Sequence, residues 1–245
     1  MNTKQQAWDI VGLRWWQLGR KSAKPSLQTI RWYVQGVGPT DHCLIIGGTS
    51  VGLIRAVRRA TAQVTVADFS PRICAELPML IPSDIVIVHC DILDAPADWS
   101  ARFTLVCADT LINRFDEEEF CRFRKQVWRI LKPAGQLRTV VKVGLYAMDR
   151  KLLALAAMHH NIAAFWDNAT QTIDYTKVGE LLEGGLIRHG GISRRELVGW
   201  YRLRGREKRY HEEELIQVFQ QEHWLNVTLE RDLPAQDRVR LRAIK

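Results

Sequence analysis

The feature that most limits what this chain can fold into is a glycine turn directly after its first apolar run. Cys43-Leu44-Ile45-Ile46 leads into Gly47-Gly48-Thr49-Ser50-Val51-Gly52, and Asp68 closes the next apolar run, Val64-Thr65-Val66-Ala67. A strand, a glycine turn and a helix start make the first crossover of a nucleotide-type site, and an acid about 20 residues on is placed to bind ribose hydroxyls. Thr49 stands where the dinucleotide fingerprint G-x-G-x-x-G needs its second glycine for backbone to approach a pyrophosphate. The turn therefore suits a ligand with an adenosine but no pyrophosphate.

Two more apolar runs end in acids: Ile85-Val86-Ile87-Val88-His89 runs into Cys90-Asp91-Ile92, and Phe103-Thr104-Leu105-Val106-Cys107-Ala108 into Asp109. Three carboxylates would repel a pyrophosphate and tolerate the sulfonium of S-adenosylmethionine. With these residues the chain resembles the class I S-adenosylmethionine-dependent methyltransferases, over roughly residues 40–145 and 207–245. Five pieces follow the family layout in order: the strand and turn at 43–52, VTVADFSP at 64–71, HCDILD at 89–94, FTLVCADTL at 103–111 and WRILKPAGQL at 128–137. Two departures stand out. Ile45 occupies the place of the family's usual acid, and the glycine turn is reduced to Gly-x-Thr. A bacterial subgroup is similar in that turn and in a Trp-rich segment ending in Pro-Ser, here WWQLGRKSAKPS at 15–26.

The resemblance implies an α/β, Rossmann-like doubly wound fold, with a mostly parallel seven-stranded sheet, a C-terminal antiparallel hairpin and a helical lid insertion. It implies S-adenosyl-L-methionine as cofactor, held by Gly47, Gly48, Thr49, Gly52, Asp68, Phe69, Ser70, Asp91, Ile92 and Asp109. Asp109 is also the candidate to orient cofactor or accept a substrate proton. The second catalytic candidate is His159, on the apolar face of a helix in the insertion; His160, Tyr146, Tyr175, Arg138, Asn113 and Arg114 are weaker ones.

The 245 residues, 47% of them hydrophobic, suit one domain with an insertion. Residues 1–40 read as a helical cover, 41–144 as the cofactor-binding core, 145–206 as a helical substrate lid and 207–245 as a C-terminal helix and hairpin. In the first part Trp8, Val11, Trp15 and Leu18 share a helical face, and Pro25-Ser26 starts a second helix at Leu27. Strands at 43–47, 63–67, 84–89, 102–108 and 136–143 alternate with helices at 50–61, 71–77 and 116–131, the pattern of a parallel sheet covered on both faces. Its ligand belongs at the carboxyl ends of the strands. In the insertion Leu145 to Trp166 steps by three and four as one amphipathic helix, 174–183 and 194–203 also look helical, and the pairs Gly184-Gly185 and Gly190-Gly191 suit hinges.

The five cysteines form no C-x-x-C pair and read as reduced packing residues, so no metal site is expected. No leader or membrane span is read, which suits a cytoplasmic protein. Net charge is +8. Eight bases, Arg188, Arg194, Arg195, Arg202, Arg204, Arg206, Lys208 and Arg209, stand against Glu196 and Glu207. Such a run reads as a solvated face, or as a surface for an acidic or phosphorylated substrate, a phosphopantetheine-bearing carrier protein or RNA. The functional expectation is a methyltransferase acting on a small molecule, in a biosynthetic role. RNA methylation, a catalytically silent cofactor-binding subunit and a dehydrogenase are the rivals, in that order.

Overall fold

The computed structural model describes residues 3–18, 24–145, 147–158, 161–186, 191–221, 223–231 and 237–245. Helices α1 (Thr3–Val11), α2 (Arg14–Leu18) and α3 (Leu27–Val34) precede the core, where β1 (His42–Ile46), α4 (Val51–Ala60), β2 (Gln63–Asp68), α5 (Pro71–Glu76), β3 (Val86–His89), β4 (Phe103–Asp109), α6 (Glu117–Ile130) and β5 (Leu131–Lys142) follow one another. The insertion holds α7 (Ala147–Ala157), β6 (Trp166–Asp167), β7 (Thr172–Asp174), α8 (Leu181–Gly185), α9 (Arg194–Arg204) and β8 (Arg206–Lys208). Helix α10 (Glu212–Gln220) and strands β9 (Leu225–Arg231) and β10 (Arg238–Ile244) close the chain.

The main sheet has seven strands in the order β3-β2-β1-β4-β5-β10-β9. Its first five strands are parallel, and β10 runs antiparallel to both β5 and β9. Alternation along β1 sets the layers: Cys43 and Ile45 join one hydrophobic cluster and Leu44 and Ile46 the other, because successive side chains of a strand face opposite ways. The first cluster gathers α1, α4, α5 and the insertion; the second gathers α6 and α10. Helix starts are set locally. Ser70 caps α5 ahead of Pro71, and Asp116 with Glu119 forms a capping box that opens α6.

Several expectations need correction. The helical face expected through Trp8, Val11, Trp15 and Leu18 is interrupted at Gly12, whose φ is +51°, and resumes as α2. The long helix expected from Leu145 to Trp166 ends at Ala157, and Trp166 instead pairs with Ile173. There Asp167 accepts the amides of Ala169 and Thr170, an Asx-type turn that folds the chain into a hairpin. Strands β6, β7 and β8 form a second, antiparallel sheet, so the insertion is not wholly helical. Its 174–183 stretch is helical only from Leu181. The Gly184-Gly185 pair lies inside α8, where a side chain on Gly185 would meet Leu152 Cδ2 at 2.4 Å; that pair is a packing contact. Gly190 lies outside the described residues. Cys43, Cys74, Cys90, Cys107 and Cys121 are free thiols. Among the described residues no helix is long and apolar enough to cross a membrane.

One buried side chain ties α3 to the sheet at the level of the strand ends. The Tyr33 hydroxyl donates to Ala108 O at 2.9 Å and accepts from Val140 N at 3.0 Å, bridging β4 and β5. Burial, first, and the charge of Asp109 hold this phenol well above the usual tyrosine range. Tyr33→Phe strands a buried carbonyl and a buried amide, so urea denaturation should show a loss of about 1–3 kcal/mol. A loss below a few tenths would mean that the two strands close up and pair directly.

Candidate functional site

The acids that end β2 and β4, the glycine turn after β1 and the segment after β3 meet at one edge of the sheet. A cavity of about 230 Å³ lies there, lined among others by Gly47, Thr49, Asp68, Phe69 and Asp109. A smaller one of about 70 Å³ shares Gly47, Asp68 and Phe69 with it and adds Asp91, Ile92, Leu93 and Phe115. The smaller cavity is mostly apolar, suited to a flat base; the larger one mixes carboxylates, cations and indoles.

Asp68 organises the turn. Its carboxylate, 5% exposed, accepts the Gly48 amide at 2.7 Å and the Ser70 amide at 2.8 Å. A side chain on Gly48 would meet Ile73 Cγ2 at 2.6 Å, so the close approach of turn to α5 requires glycine there. Gly47, at φ +101°, has open space where a side chain would be, leaving bare backbone toward a ligand. Burial pushes the Asp68 carboxyl up to about 6, against the Ser70 and Gly48 amides that pull it down. Its folded value lies above the roughly 3.9 of a free aspartate, so its contribution to stability is fully present below about pH 4 and is lost as pH rises through about 6.

The other residues expected at the site fall into two groups. Thr49, Phe69, Asp91, Ile92 and Asp109 line one or both cavities. Asp91 commits Oδ1 to the Leu93 amide at 3.0 Å. Half-buried Asp109 is followed by Thr110 at φ +52°, a left-handed conformation rare for a branched residue and one that gathers at functional sites. Gly48, Gly52 and Ser70 are not among the residues that line either cavity. Gly52 lies against Trp16, whose ring a side chain there would meet at 2.8 Å, and the Ser70 hydroxyl donates to Asp9 at 2.8 Å. His159, His160 and Tyr146 lie outside the described residues.

Of the weaker candidates, Arg138 donates to the carbonyls of Trp32 and Tyr33 at the end of α3. Asn113 is buried, not solvated: its amide nitrogen donates to Lys142 O and Lys208 O, and its Oδ1 accepts from Lys142 N, clamping β5 to β8. The Arg114 guanidinium stacks 4.8 Å from the Trp8 ring and reaches Glu207 at 3.9 Å. Tyr175 is buried, and its hydroxyl lies 3.2 Å from Arg209 Nη2 and 3.4 Å from Asp149 Oδ1.

The basic run divides. Arg194, Arg195, Arg202 and Arg206 are exposed, whereas Arg204 and Arg209 are buried, and Arg188 lies outside the described residues. Fully buried Arg209 donates to Asp149 at 2.7 and 3.1 Å and to Glu207 at 3.1 Å. Glu207 also pairs with Arg204. Arg204 lines the larger cavity with Arg114, Lys142 and Arg238. Burial, and then the charges of Arg209, Arg204, Arg238 and Arg114, hold the Lys142 ammonium well below the usual lysine range. Sequence reasoning missed Lys142 and Trp200; a lone lysine ending the apolar run Val140-Val141 was the available signal.

Trp8, Trp15 and Trp200 line the larger cavity as one aromatic cluster. The Trp15 and Trp200 rings are 4.2 Å apart, Trp8 meets Trp200 edge-on at 5.4 Å, and Trp16 also lines the space. The N-terminal segment and the insertion thus form one roof. Among the described residues no group of three His, Cys, Asp or Glu could hold a metal ion.

No protein-family model matches the chain, and neither does any curated protein. Solved structures do. A Rhodobacter sphaeroides chain, named provisionally as a Zn-dependent alcohol dehydrogenase, is 28% identical with TM-score 0.91, over 99% of this chain and 98% of its own. The Burkholderia thailandensis 1,6-didemethyltoxoflavin-N1-methyltransferase, solved with 1,6-didemethyltoxoflavin and S-adenosylhomocysteine, is 12% identical with TM-score 0.59, over 98% and 87%. The N-methyltransferase NodS of Bradyrhizobium japonicum WM9, solved with S-adenosylhomocysteine, is 13% identical with TM-score 0.52, over 89% and 84%. The fold is that of the class I S-adenosylmethionine-dependent methyltransferases.

The Arg209–Asp149 pair fixes α7 to β8 beneath this roof. Asp149→Ala leaves a buried guanidinium short of a carboxylate, and urea denaturation should show about 3–5 kcal/mol lost. The double change Asp149→Leu with Arg209→Met should recover most of it. Equal losses in both variants would show that packing, not charge, sets the cost.

Proposed function

We propose that this protein is an S-adenosylmethionine-dependent methyltransferase acting on a small molecule, with a biosynthetic role. The observation that carries the reading is the pair of joined cavities. One is apolar and edged by Asp91 and Ile92, the other holds Asp109, and Gly47, Asp68 and Phe69 are common to both. The names of the methyltransferases that share the fold support it.

The residues suit the cofactor. Asp68 and Asp91 are carboxylates for ribose hydroxyls, the apolar pocket takes the base, and bare Gly47 backbone allows close approach. Bound there, S-adenosylmethionine supplies an electrophilic methyl group. The chain's part is alignment and exclusion of water. Asp109 lines the cavity at the end of β4, where its carboxylate orients the acceptor and takes up a proton the acceptor gives away. The tryptophan roof keeps water out and favours a small acceptor over a polynucleotide. The exposed bases are partly committed too, Arg194 near Glu183 and Arg206 to Asp174.

A second reading, nicotinamide-dependent oxidation, has the Rhodobacter sphaeroides chain's name in its favour. Against it stand Thr49 in the turn, three carboxylates at the strand ends, and antiparallel β10 in the sixth sheet position, where a dinucleotide fold has a parallel strand.

Calorimetry separates the two. S-adenosylhomocysteine should bind at micromolar concentration and NAD weakly or not at all; tighter NAD binding would sink the methyltransferase reading. Hydroxyl donors need Asp68 ionised, so affinity for S-adenosylhomocysteine should be level above pH 7 and fall below about 6, approaching tenfold per pH unit. Asp68→Asn should cost about 2 kcal/mol at pH 8 and remove that pH dependence.

A further inference from the structure

The larger cavity has two unlike sets of lining residues. One is the glycine turn with Asp68 and Asp109. The other, besides Lys24, is four cations from separate elements: Arg114 after β4, Lys142 at the end of β5, Arg204 at the end of α9 and Arg238 at the start of β10. Asp237 lines the cavity too, 3.8 Å from Arg238, and Glu207 behind it pairs with Arg204 and Arg114. A positive sulfonium gains nothing from such a wall, and burial first, then the charges of Arg209, Arg204, Arg238 and Arg114, hold Lys142 below the usual lysine range.

Two buried donors sharpen the point. Arg204 is 5% exposed and Trp200 1%. Among the described residues Arg204 Nε and Trp200 Nε1 have no hydrogen-bond partner. Both residues line the cavity, one turn apart on α9, with the guanidinium 4.1 Å from the Trp200 ring centroid. Folded proteins rarely leave buried donors unmet, and such a group points to a missing acceptor. An acceptor with negative charge suits a buried guanidinium donor of this kind.

We infer that the methyl acceptor carries an anionic group, a carboxylate or a phosphate, that seats against Arg204, Lys142 and Arg114 beside the Trp200 indole. The inference rests on the methyltransferase reading and adds the substrate class to it. The anion joins Arg204 of the insertion to Lys142 of the sheet, so its binding also holds the roof to the core. The aromatic walls from Trp15, Trp16 and Tyr201 suit a flat body behind the charge.

The test uses the full chain saturated with S-adenosylhomocysteine, titrated with benzoate, phenyl phosphate and benzyl alcohol, and followed by tryptophan fluorescence and calorimetry. At least one anion should bind tenfold or more tightly than the neutral alcohol, and the better of the two identifies carboxylate or phosphate. Arg204→Gln and Lys142→Met should each reduce that preference tenfold, and Lys142→Met, at a residue that lines only the larger cavity, should change S-adenosylhomocysteine affinity less than threefold. Lys142→Met leaves the Arg204–Glu207–Arg209 cluster intact, so it decides the matter if Arg204→Gln does not fold. Equal binding of anions and alcohol would overturn the inference. So would anion binding that S-adenosylhomocysteine abolishes, because the cations would then serve the cofactor's own carboxylate. Failure of S-adenosylhomocysteine itself to bind would sink the methyltransferase reading, whereas anion discrimination in the same protein would still test the cationic wall.

Discussion

Glu207 is the carboxylate on which the upper half of the molecule turns. It is 1% exposed and meets Arg204 and Arg209 from the insertion and Arg114 from the turn after β4. A buried carboxylate shared among guanidiniums is costly to desolvate and still more costly to break, so it fixes which surfaces meet. Asp149 takes the other side of Arg209, and Asn113 binds Lys142 and Lys208 backbone just beside it. Insertion and sheet are thereby locked in one register at the edge where the strands end in acids. The cavity exists because this seam holds the insertion over that edge.

The N-terminal segment is drawn into the same arrangement by its indoles. Trp8 and Trp15 pack on Trp200 of α9, and Arg14 pairs with Glu196 at 2.6 Å, near the start of the same helix. Trp16 packs toward Gly52 on α4. A cover that touches both the first helix of the core and the last helix of the insertion moves only with both. Its aromatic area does the holding, since exposed ion pairs such as Arg14 with Glu196 contribute little by themselves.

The sheet and the acids at its strand ends were legible in the sequence because their signals are local. An apolar run ending in Asp marks a strand end, and alternation with helices places all such ends on one edge. Two things were not legible. Strands β6 to β8 are two or three residues long, too short for periodicity to announce, and only pairing across the insertion creates them. The fate of the basic run was equally hidden. Composition reads Arg202, Arg204, Arg206 and Arg209 alike, yet Arg209 is buried by a carboxylate 60 residues earlier in the chain and Arg206 stays in solvent. Nothing local marks Asn113 as a buried clamp, for the same reason: both of its carbonyl partners lie far off in sequence. Gly52 was expected among the cofactor's contacts, and what lies against it in the fold is the Trp16 indole of this chain.

The two sides of the cavity follow from topology more than from any one residue. Parallel strands deliver their carboxyl ends, here Asp68 and Asp109, to the side where the chain turns back over the sheet. Antiparallel β10 does the opposite: it brings the start of a strand, Arg238, to the end of β5, in register with Lys142. A reversed strand beside the last parallel one therefore places a second cation at an edge that the parallel strands make acidic. Arg204 reaches the same corner from above through the Glu207 seam. Arg238 and Arg204 thus come from β10 and the insertion, whereas Lys142 ends parallel β5 and Arg114 follows β4, so the cationic corner is assembled from both the parallel strands and the elements added to them.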